Sequence, residues 1–266
     1  MPQFDIASSI VLYKNDPGIL EKTIGSFFNT ELNVKLYLID NSPDDKLKVL
    51  VNDPRIEYIF NNTNAGFGKA HNIVMKQTIH IAKYHLVLNP DVYFMKGTLD
   101  SLFEYMEENE GVGLVMPKVL SFENELQYLC KRLPGPTELI LRRFLPKSWS
   151  KRRMDRYEMR DKDYNSTFSA PSLSGCFMFV RSAALRKVGL FDERYFMYLE
   201  DIDLSRRIFE FFDNVYFPKL TIYHGHAKES YKSFRLLKIH VVSAIKYFGK
   251  WGWFFDVKKK DINGKL

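Results

Sequence analysis

The sequence predicts an α/β protein with a mostly parallel, Rossmann-like sheet that carries helices on both faces. Through the first 120 residues, short apolar runs alternate with segments whose apolar side chains repeat at helical spacing. The apolar runs end at clusters of Asp, Asn, Ser or Pro, as strands commonly do. Strands that alternate with helices in this way pair in parallel, because each helix returns the chain to the same edge of the sheet.

The first strand–helix–strand unit is defined by its turn residues. The apolar run Ile6 to Tyr13 stops before Asn15-Asp16-Pro17, whose proline can occupy the first turn of a helix. The next apolar run, Val34 to Ile39, ends abruptly at Asp40-Asn41-Ser42-Pro43. Both strands should therefore end at the same edge of the sheet.

The same alternation continues to residue 116. The elements expected there are a strand at Ile56 to Ile59, a helix at about Gly68 to Ala82, a strand at His85 to Leu88, a helix at Leu99 to Glu107 and a strand at Val112 to Met116. The loop after Ile59 is rich in asparagine, and Asn89-Pro90-Asp91 stops the strand that ends at Leu88.

The second half is less regular and ends in a helical extension. Its expected elements are a basic insertion at about 142–163, a strand at Cys176 to Val180, a helix that opens at Glu200, short strands at Val215 to Phe217 and Thr221 to Tyr223, and a helix at about Ser230 to Lys250 with basic and apolar arcs. We therefore expect a main domain at 1–228, divided at 120, and a C-terminal helix and basic aromatic tail at 229–266.

Composition indicates an ordinary globular protein. The 266 residues are 45% apolar and 27% charged, with two cysteines, so a disulfide scaffold is excluded. No apolar run reaches the roughly 20 residues of a membrane-spanning helix, and the N-terminus lacks the pattern of a signal peptide. These features predict a cytoplasmic protein.

The net charge of +7 is concentrated in two segments. Arg142 to Arg160 contains eight basic side chains against two acids, and Lys228 to Leu266 contains ten against three. Such segments suit an anionic membrane surface, a phosphate-bearing acceptor or a nucleic acid. Trp251, Trp253, Phe254 and Phe255 beside three lysines favour peripheral contact with the inner face of the plasma membrane.

Two aspartates lie where open α/β sheets bind ligands. Asp40 and Asp91 each follow an apolar strand, and both positions also suit simple turns. A carboxylate at such an edge can accept the N3–H of a uracil or thymine ring, which is the role considered for Asp40. Asp91 can hold Mg²⁺ or Mn²⁺ against a diphosphate, since these ions prefer oxygen ligands.

Further polar residues have both a functional and a structural interpretation. The loop Asn64-Ala65-Gly66-Phe67-Gly68 precedes a helix whose amides can meet phosphate, although no Walker sequence follows. Glu200, Asp201 and Asp203 are either helix caps or a general base with its neighbours. His224, or His226 two residues later, is either structural or a metal ligand.

The order of these motifs resembles glycosyltransferase family 2, with the GT-A fold, and within it the bacterial rhamnosyltransferase-like enzymes of surface polysaccharide assembly. The motifs that carry the resemblance are Ile39-Asp40-Asn41-Ser42, Asn64-Ala65-Gly66-Phe67-Gly68 with Asn72, Leu88-Asn89-Pro90-Asp91, Ser174-Gly175-Cys176-Phe177-Met178, Gly189-Leu190-Phe191-Asp192-Glu193 and Phe196-Met197-Tyr198-Leu199-Glu200-Asp201-Ile202-Asp203-Leu204. Asn89 departs from the family pattern, because many relatives have a first aspartate there.

The resemblance implies a role for each motif. Asp201 would be the general base, with Glu200 and Asp203 supporting it. Asp91 and His224 would bind Mg²⁺ or Mn²⁺. The residues expected to contact the nucleotide-sugar donor are Asp40, Asn41, Asn64, Gly66, Gly68, Asn72 and Asn89.

The implied reaction is sugar transfer with inversion, from a nucleotide diphosphate donor to a hydroxyl of a lipid-linked or saccharide acceptor. The expected donor is dTDP-L-rhamnose, and a UDP-sugar is the alternative, because uracil and thymine present the same N3–H. The expected setting is O-antigen or related polysaccharide synthesis. A nucleotidyltransferase would require a Gly-rich basic loop after the first strand, which this sequence lacks. A basic nucleic-acid-binding protein would leave the acids at 91 and 200–203 unexplained, so no nucleic-acid partner is expected.

Overall fold

The computed structural model of the protein describes residues 2–139, 147–225 and 234–266, without the side chains of 147–150. The strands are β1 (Phe4–Leu12), β2 (Val34–Asp40), β3 (Ile56–Phe60), β4 (Ala82–Leu88), β5 (Val92–Phe94), β6 (Val112–Leu120), β7 (Phe168–Ser169), β8 (Phe177–Arg181) and β9 (Asp213–His224). The helices are α1 (Pro17–Phe28), α2 (Phe67–Ile81), α3 (Thr98–Glu108), α4 (Pro136–Leu139), α5 (Lys147–Tyr157), α6 (Ser182–Val188), α7 (Glu200–Phe209), α8 (Phe234–Trp251) and α9 (Val257–Gly264), with a 3-10 turn at Lys46–Leu50.

Within the described ranges the nine strands form one mixed sheet. Its order is β3-β2-β1-β4-β8-β6-β9-β5, and β7 pairs with β9. The predicted parallel pairing holds for β3, β2, β1 and β4, and also for β6 with β9. β8 runs antiparallel to both its neighbours, as β5 and β7 do to β9. The predicted α/β class is confirmed, and the parallel arrangement is limited to the strands that alternate regularly with helices.

Both faces of the first four strands are covered by helices. Side chains alternate across β1 because successive residues of a strand point to opposite faces. Ala7 packs with Ala70 and Val74 of α2. Ile6 and Ile10, on the other face, lie within the main core that also includes the apolar side of α1. This two-sided burial explains why the strands read as continuous apolar runs.

Two C-terminal predictions differ from the structure. The short strands expected at 215–217 and 221–223 form one strand, β9, whose register shifts opposite Pro117/Lys118 and so accommodates Pro218. The aromatic basic tail contains a further helix, α9, after a break at Gly252. Gly252 has φ of 98°, and its amide donates to the carbonyl of Phe248, a helix ending that favours glycine. Residues 230–233 of the predicted helix and 142–146 of the predicted insertion lie outside the described residues.

One edge of the sheet brings the predicted motifs together. Leu12 pairs with Asp40, and Ile10 pairs with Leu88, so β1, β2 and β4 end at the same level. β8 runs in the opposite direction, and its first residue, Phe177, pairs with Leu88. The segment before β8 therefore meets the segment after β4 at this edge.

Candidate active site

Asp91 and His224 come together through a pair of short strands. Val92 of β5 pairs with His224 at the end of β9, and the Gly225 amide donates to the Asp91 carbonyl at 3.0 Å. The Asp91 Oδ1 atom lies 3.6 Å from His224 Nε2. The side-chain nitrogen of Asn89 lies 3.4 Å from the same imidazole nitrogen. The predicted carboxylate, imidazole and amide thus form one cluster.

Gln127 fixes the orientation of the His224 ring. Its side-chain nitrogen donates to the His224 carbonyl at 2.8 Å, so its Oε1 atom is turned toward His224 Nδ1, 3.0 Å away. Nδ1 must then carry the proton of a neutral ring, which leaves the Nε2 lone pair directed at Asp91. Gln127 is 97 residues distant in sequence, so no local pattern could have identified it.

The chemistry of this cluster suits a divalent cation. A carboxylate, an amide oxygen and a neutral imidazole are ligands of Mg²⁺ and Mn²⁺. Burial raises the pKa of Asp91 to about 6, which indicates a carboxylate that lacks compensating positive charge. Across the described ranges no three His, Cys, Asp or Glu side chains group around one metal position. His226 lies outside the described residues.

A second cluster of acids begins helix α7. Tyr198 and Leu199, immediately before it, have φ values of 71° and 70°. Two successive left-handed residues that are not glycine are energetically unfavourable, and such backbone is most often retained at functional sites. The strained turn places Glu200 and Asp201 at the first two positions of the helix.

Asp201 is held as an acceptor of backbone hydrogen bonds. Its Oδ2 accepts from the Gly175 amide at 3.0 Å, and its Oδ1 accepts from the Ile202 amide at 2.8 Å. Cys176 follows Gly175 in the chain, and its carbonyl accepts a hydrogen bond from the Asn89 amide at 2.9 Å. Adjacent residues before β8 therefore connect the Asp201 cluster with the Asp91 cluster.

Glu200 lies in a different environment from its neighbour. Its residue is only 4% exposed, and its Oε2 atom has no hydrogen-bond partner within the described residues. Burial, followed by the nearby charge of Asp201, raises the pKa of Glu200 well above that of a free carboxyl. The pair thus combines a carboxyl that favours its proton with a carboxylate fixed by amide donors.

Asp203 lies on the side of α7 opposite Asp201. Residues two positions apart on a helix point about 160° away from each other, and Asp203 is fully buried. It pairs with Arg207 at 2.9 Å, with Lys250 at 2.7 Å and with the indole N–H of Trp251 at 2.8 Å. Asp203 thus joins α7 to the end of α8.

Asp40 is completely buried at the end of β2. Its Oδ1 accepts from the Ser42 amide at 2.8 Å, and its Oδ2 accepts from the Tyr58 hydroxyl at 2.6 Å. Burial and this hydrogen bond raise the pKa of the Tyr58 hydroxyl. The open carboxylate expected from the sequence is therefore already satisfied within the protein.

The asparagine-rich loop contacts both the end of β2 and the segment before α7. Asn41 donates to the Gly66 carbonyl at 3.2 Å, and Asn64 Oδ1 accepts from the Gly66 amide at 3.0 Å. Gly66 has φ of 88°, and a Cβ there would lie 2.3 Å from the Phe196 carbonyl oxygen. The same oxygen accepts a hydrogen bond from the Phe67 amide at 2.9 Å. Only glycine can occupy position 66.

Gly68 and Asn72 hold the Gly189–Glu193 turn. A Cβ on Gly68 would lie 2.9 Å from the Phe191 Cβ. Asn72 donates to the Phe191 carbonyl at 2.9 Å and accepts from the Phe191 amide at 3.1 Å. The side chain of Asn72 thus bonds the backbone of the protein. Contact of Asn72 with the nucleotide-sugar donor stays a prediction.

The C-terminal helices pack against the same part of the molecule. Tyr247 and Phe248 of α8 share a buried cluster with Leu199 and Ile202, which flank the α7 acids. The buried face of α8 is formed by Ser243, Ala244, Tyr247 and Phe248, whereas Ile245 is half exposed. No helix in the described ranges is long and apolar enough to cross a bilayer.

The sheet and its helices have the arrangement of GT-A glycosyltransferases. The chain belongs to glycosyl transferase family 2, whose family model matches residues 8–189. This membership confirms the resemblance noted from the motifs. It favours a glycosyltransferase over the two alternatives, a nucleotidyltransferase and a nucleic-acid-binding protein.

Its curated relatives include rhamnosyltransferases. The N-acetylglucosaminyl-diphospho-decaprenol L-rhamnosyltransferase of Mycobacterium tuberculosis is 28% identical over 236 residues, which cover 82% of this chain and 75% of the relative. Rhamnosyltransferase WbbL of Escherichia coli is 27% identical over 191 residues, 63% of this chain and 68% of the relative.

Solved structures share the fold at low sequence identity. GalNAc-T7, solved with UDP, GalNAc and Mn²⁺, aligns with a TM-score of 0.65 and 13% identity. The alignment covers 98% of this chain and 55% of that one. The mannosyltransferase PcManGT of Pyrobaculum calidifontis, in complex with GDP-Man and Mn²⁺, aligns with a TM-score of 0.59 and 13% identity, covering 92% of this chain and 65% of that one.

Proposed function

We propose that the protein transfers a hexose from a nucleotide diphosphate donor to an acceptor hydroxyl, with inversion at the anomeric carbon. The observation that carries the proposal is the position of Asp201, whose carboxylate is fixed by the Gly175 and Ile202 amides. Residues 175 and 176 connect it to the cluster of Asp91 and His224. A base and a diphosphate-binding site at one sheet edge are what single-displacement sugar transfer requires.

L-rhamnose from dTDP-L-rhamnose is the proposed sugar and donor. The names of two rhamnosyltransferase relatives support this choice. A UDP-sugar is the alternative, since GalNAc-T7 was solved with UDP. Asp40 is completely buried, so we propose that the Tyr58 hydroxyl moves aside and lets Asp40 accept the N3–H of either base.

The proposed donor pocket has contact residues and framework residues. Asn41, Asn64, Gly66 and Asn89 would face the nucleotide and diphosphate from the edge at which β2 and β4 end. Gly68 and Asn72 would act indirectly, because their contacts hold the turn at Phe191.

In the proposed mechanism, Asp201 removes the proton of the acceptor hydroxyl as its oxygen attacks the anomeric carbon. The attack comes from the face opposite the nucleotide diphosphate, so the configuration inverts and no covalent enzyme intermediate forms. Glu200, whose pKa is raised by burial and by the charge of Asp201, would hold a proton beside the proposed base. Asp203 would position α7 through Arg207, Lys250 and Trp251.

Asp91, His224 and the side-chain oxygen of Asn89 are proposed to hold Mg²⁺ or Mn²⁺. This use of Asn89 requires its amide to turn, because its nitrogen now faces His224. The donor diphosphate would provide further oxygen ligands, as is usual for Mg²⁺. The chemistry expected from such a cation is Lewis-acid stabilisation of charge on the departing diphosphate.

The acceptor is proposed to be lipid-linked, with the enzyme bound to the inner face of the plasma membrane. A relative acts as an N-acetylglucosaminyl-diphospho-decaprenol L-rhamnosyltransferase, according to its name. In this chain Phe254, Phe255 and Val257 are 73%, 89% and 80% exposed, and they lie beside the lysines of α9. Polysaccharide or O-antigen synthesis is the setting that fits these features.

The experiment that tests the proposal is donor hydrolysis with a panel of nucleotide sugars. We expect dTDP-L-rhamnose to be cleaved fastest, with activity lost in EDTA and restored by Mg²⁺ or Mn²⁺. Asp91→Ala should abolish this metal-dependent cleavage while the protein stays folded. The exposed Asp261→Asn is the control. Full activity of Asp91→Ala, or of the untreated enzyme in EDTA, would disprove the proposed metal site.

A further inference from the structure

Two basic segments that are remote in sequence form the walls of one cleft. The cleft has a volume of about 680 Å³ and lies between α4 and α5 on one side and α9 on the other. Arg153 and Arg156 of α5 line it, as do Trp253, Phe254 and Lys259 of the C-terminal segment. Helix packing has therefore combined into one site the charge of two segments about 100 residues apart.

Arg132 forms the fixed wall of this cleft. Its side chain is almost completely buried, and it donates to the Arg156 carbonyl at 3.0 Å and to the Asn263 carbonyl at 3.1 Å. It also pairs with Asp161 at 2.7 Å. These contacts tie α5 to α9, so the cleft is a preformed feature of the fold.

The remaining cations of the cleft are largely uncompensated. Arg153 pairs with Glu138, the one acid among the residues that line the described cleft. The side chains of Arg156 and Lys259 make no ion pair or hydrogen bond to described residues. Two cations that form no ion pair with described residues, beside a single carboxylate that is already paired, give the cleft the charge to bind an anion.

An aromatic rim distinguishes this cleft from a site for a free anion. Trp253 and Phe254, 37% and 73% exposed, form part of its lining, and Phe255 beside them is 89% exposed. Exposed aromatic rings next to lysines are typical of surfaces that lie at the boundary of a lipid bilayer. A free phosphate would gain nothing from them.

We propose that this cleft binds the phosphoryl headgroup of an anionic membrane lipid, while Phe254 and Phe255 enter the interfacial layer. The inference deepens the membrane contact proposed above and names its ligand. Tyr157, on the cleft wall, packs in the same cluster as Leu199, next to the acids of α7. The headgroup site is thus built onto the packing that supports the catalytic helix.

The test is co-sedimentation of the full chain with phosphatidylcholine vesicles, with and without phosphatidylglycerol. We expect binding only to the anionic vesicles. The Arg156→Gln/Lys259→Gln variant should bind them roughly 30-fold more weakly, since each cation near such a surface contributes about a fivefold increase in affinity. Lys22→Gln/Lys48→Gln removes the same charge from exposed positions outside the cleft, and it should bind nearly as wild type.

Three results would overturn the inference. Equal losses in the two double variants would show that net charge alone attracts the protein. Unchanged binding of Phe254→Ser/Phe255→Ser would show that the aromatic residues do not enter the bilayer. Calorimetric binding of inorganic phosphate without vesicles, as strong as that of the lipid, would assign the cleft to a soluble anion. Hydrolysis of the nucleotide-sugar donor in lipid-free buffer should be the same in wild type and in all these variants. Absence of this hydrolysis in wild type would count against the transferase proposal, whereas the vesicle results bear on the lipid site.

Discussion

At the residue scale, the adjacent carboxyls of Glu200 and Asp201 have opposite environments. Glu200 is buried with an oxygen that has no hydrogen-bond partner among the described residues, whereas Asp201 accepts two amide hydrogen bonds. Burial, and then the nearby charge of Asp201, raise the pKa of Glu200 to about 8. The structure therefore separates two acids that the sequence presents as equivalent.

This separation predicts different outcomes for two isosteric substitutions. Glu200→Gln reproduces a protonated carboxyl and should retain the fold and most of the turnover. Asp201→Asn keeps the shape and removes the proposed base, so kcat should fall by about 10²–10⁴-fold while donor binding persists. Steady-state kinetics, with donor affinity measured by calorimetry, would check both. An inactive Glu200→Gln beside an active Asp201→Asn would reverse the assigned roles.

At the element scale, helix α7 is connected to the C-terminal helices by a buried polar network. Arg206 of α7 is 1% exposed and makes two hydrogen bonds, 2.6 and 2.8 Å, to Asp256, the N-cap of α9. Its guanidinium also lies 3.9 Å from the ring centre of Trp251. Lys250 bridges Asp203 and Asp192, at 2.7 and 2.9 Å.

Removing the Asp256 charge should therefore destabilise the protein strongly. Asp256→Asn leaves Arg206 buried without its counter-charge, a change that typically costs about 3–5 kcal/mol. For a chain of this size, the melting temperature should fall by roughly 6–20 °C. Asp261→Asn, in the same helix, breaks an exposed pair with Lys265 and should change stability by less than about 0.5 kcal/mol. Thermal denaturation of the two variants gives the comparison, and similar melting temperatures would contradict it.

The elements show which parts of the molecule are predictable from sequence. Strands β1 to β4 and helix α7 were identified because apolar periodicity and turn residues act locally. Tyr58 and Gln127 were missed because their partners, Asp40 and His224, are distant in the chain. Three acids at a helix start also cannot reveal that one, Asp203, turns toward α8.

At the scale of the whole molecule, a buried polar chain crosses the core between β1, α2 and β4. The Ser9 hydroxyl lies 2.7 Å from His71 Nδ1 and 2.8 Å from His85 Nε2, and Thr78 bonds His85 Nδ1 at 2.9 Å. Burial lowers the pKa of His85 to about 3, and burial and then His85 lower the pKa of His71. Both rings are neutral in the folded protein.

These histidines should make the fold sensitive to acid. Below pH 6.5 the unfolded chain binds protons that the folded chain excludes, so their contribution to stability is lost as pH falls from 6.5 toward 3. Glu200 and Asp91 oppose this trend, because their pKa values are raised on folding. The informative quantity is therefore the difference in unfolding free energy between wild type and His85→Gln at each pH.

Below pH 6.5 we expect the slopes of unfolding free energy against pH to differ by up to about 1.4 kcal/mol per pH unit, because wild type loses stability faster as the pH falls. Urea denaturation at pH 8, 6.5 and 5 would measure it. His80→Gln, at an exposed position of α2, is the control and should preserve the wild-type slope. Parallel pH profiles for wild type and His85→Gln would show that the ring gains its proton without unfolding.

The contact between Gly66 and Phe196 has a consequence for recombining this enzyme with its relatives. The loop that precedes α2 is closed by a carbonyl oxygen 130 positions further along the chain, and no side chain fits between them. A hybrid that takes its first half from a relative with another donor preference must therefore also inherit the matching backbone before α7. Exchange boundaries placed between these two positions should yield misfolded or inactive hybrids. Hybrids that transfer both segments together should retain the new donor preference.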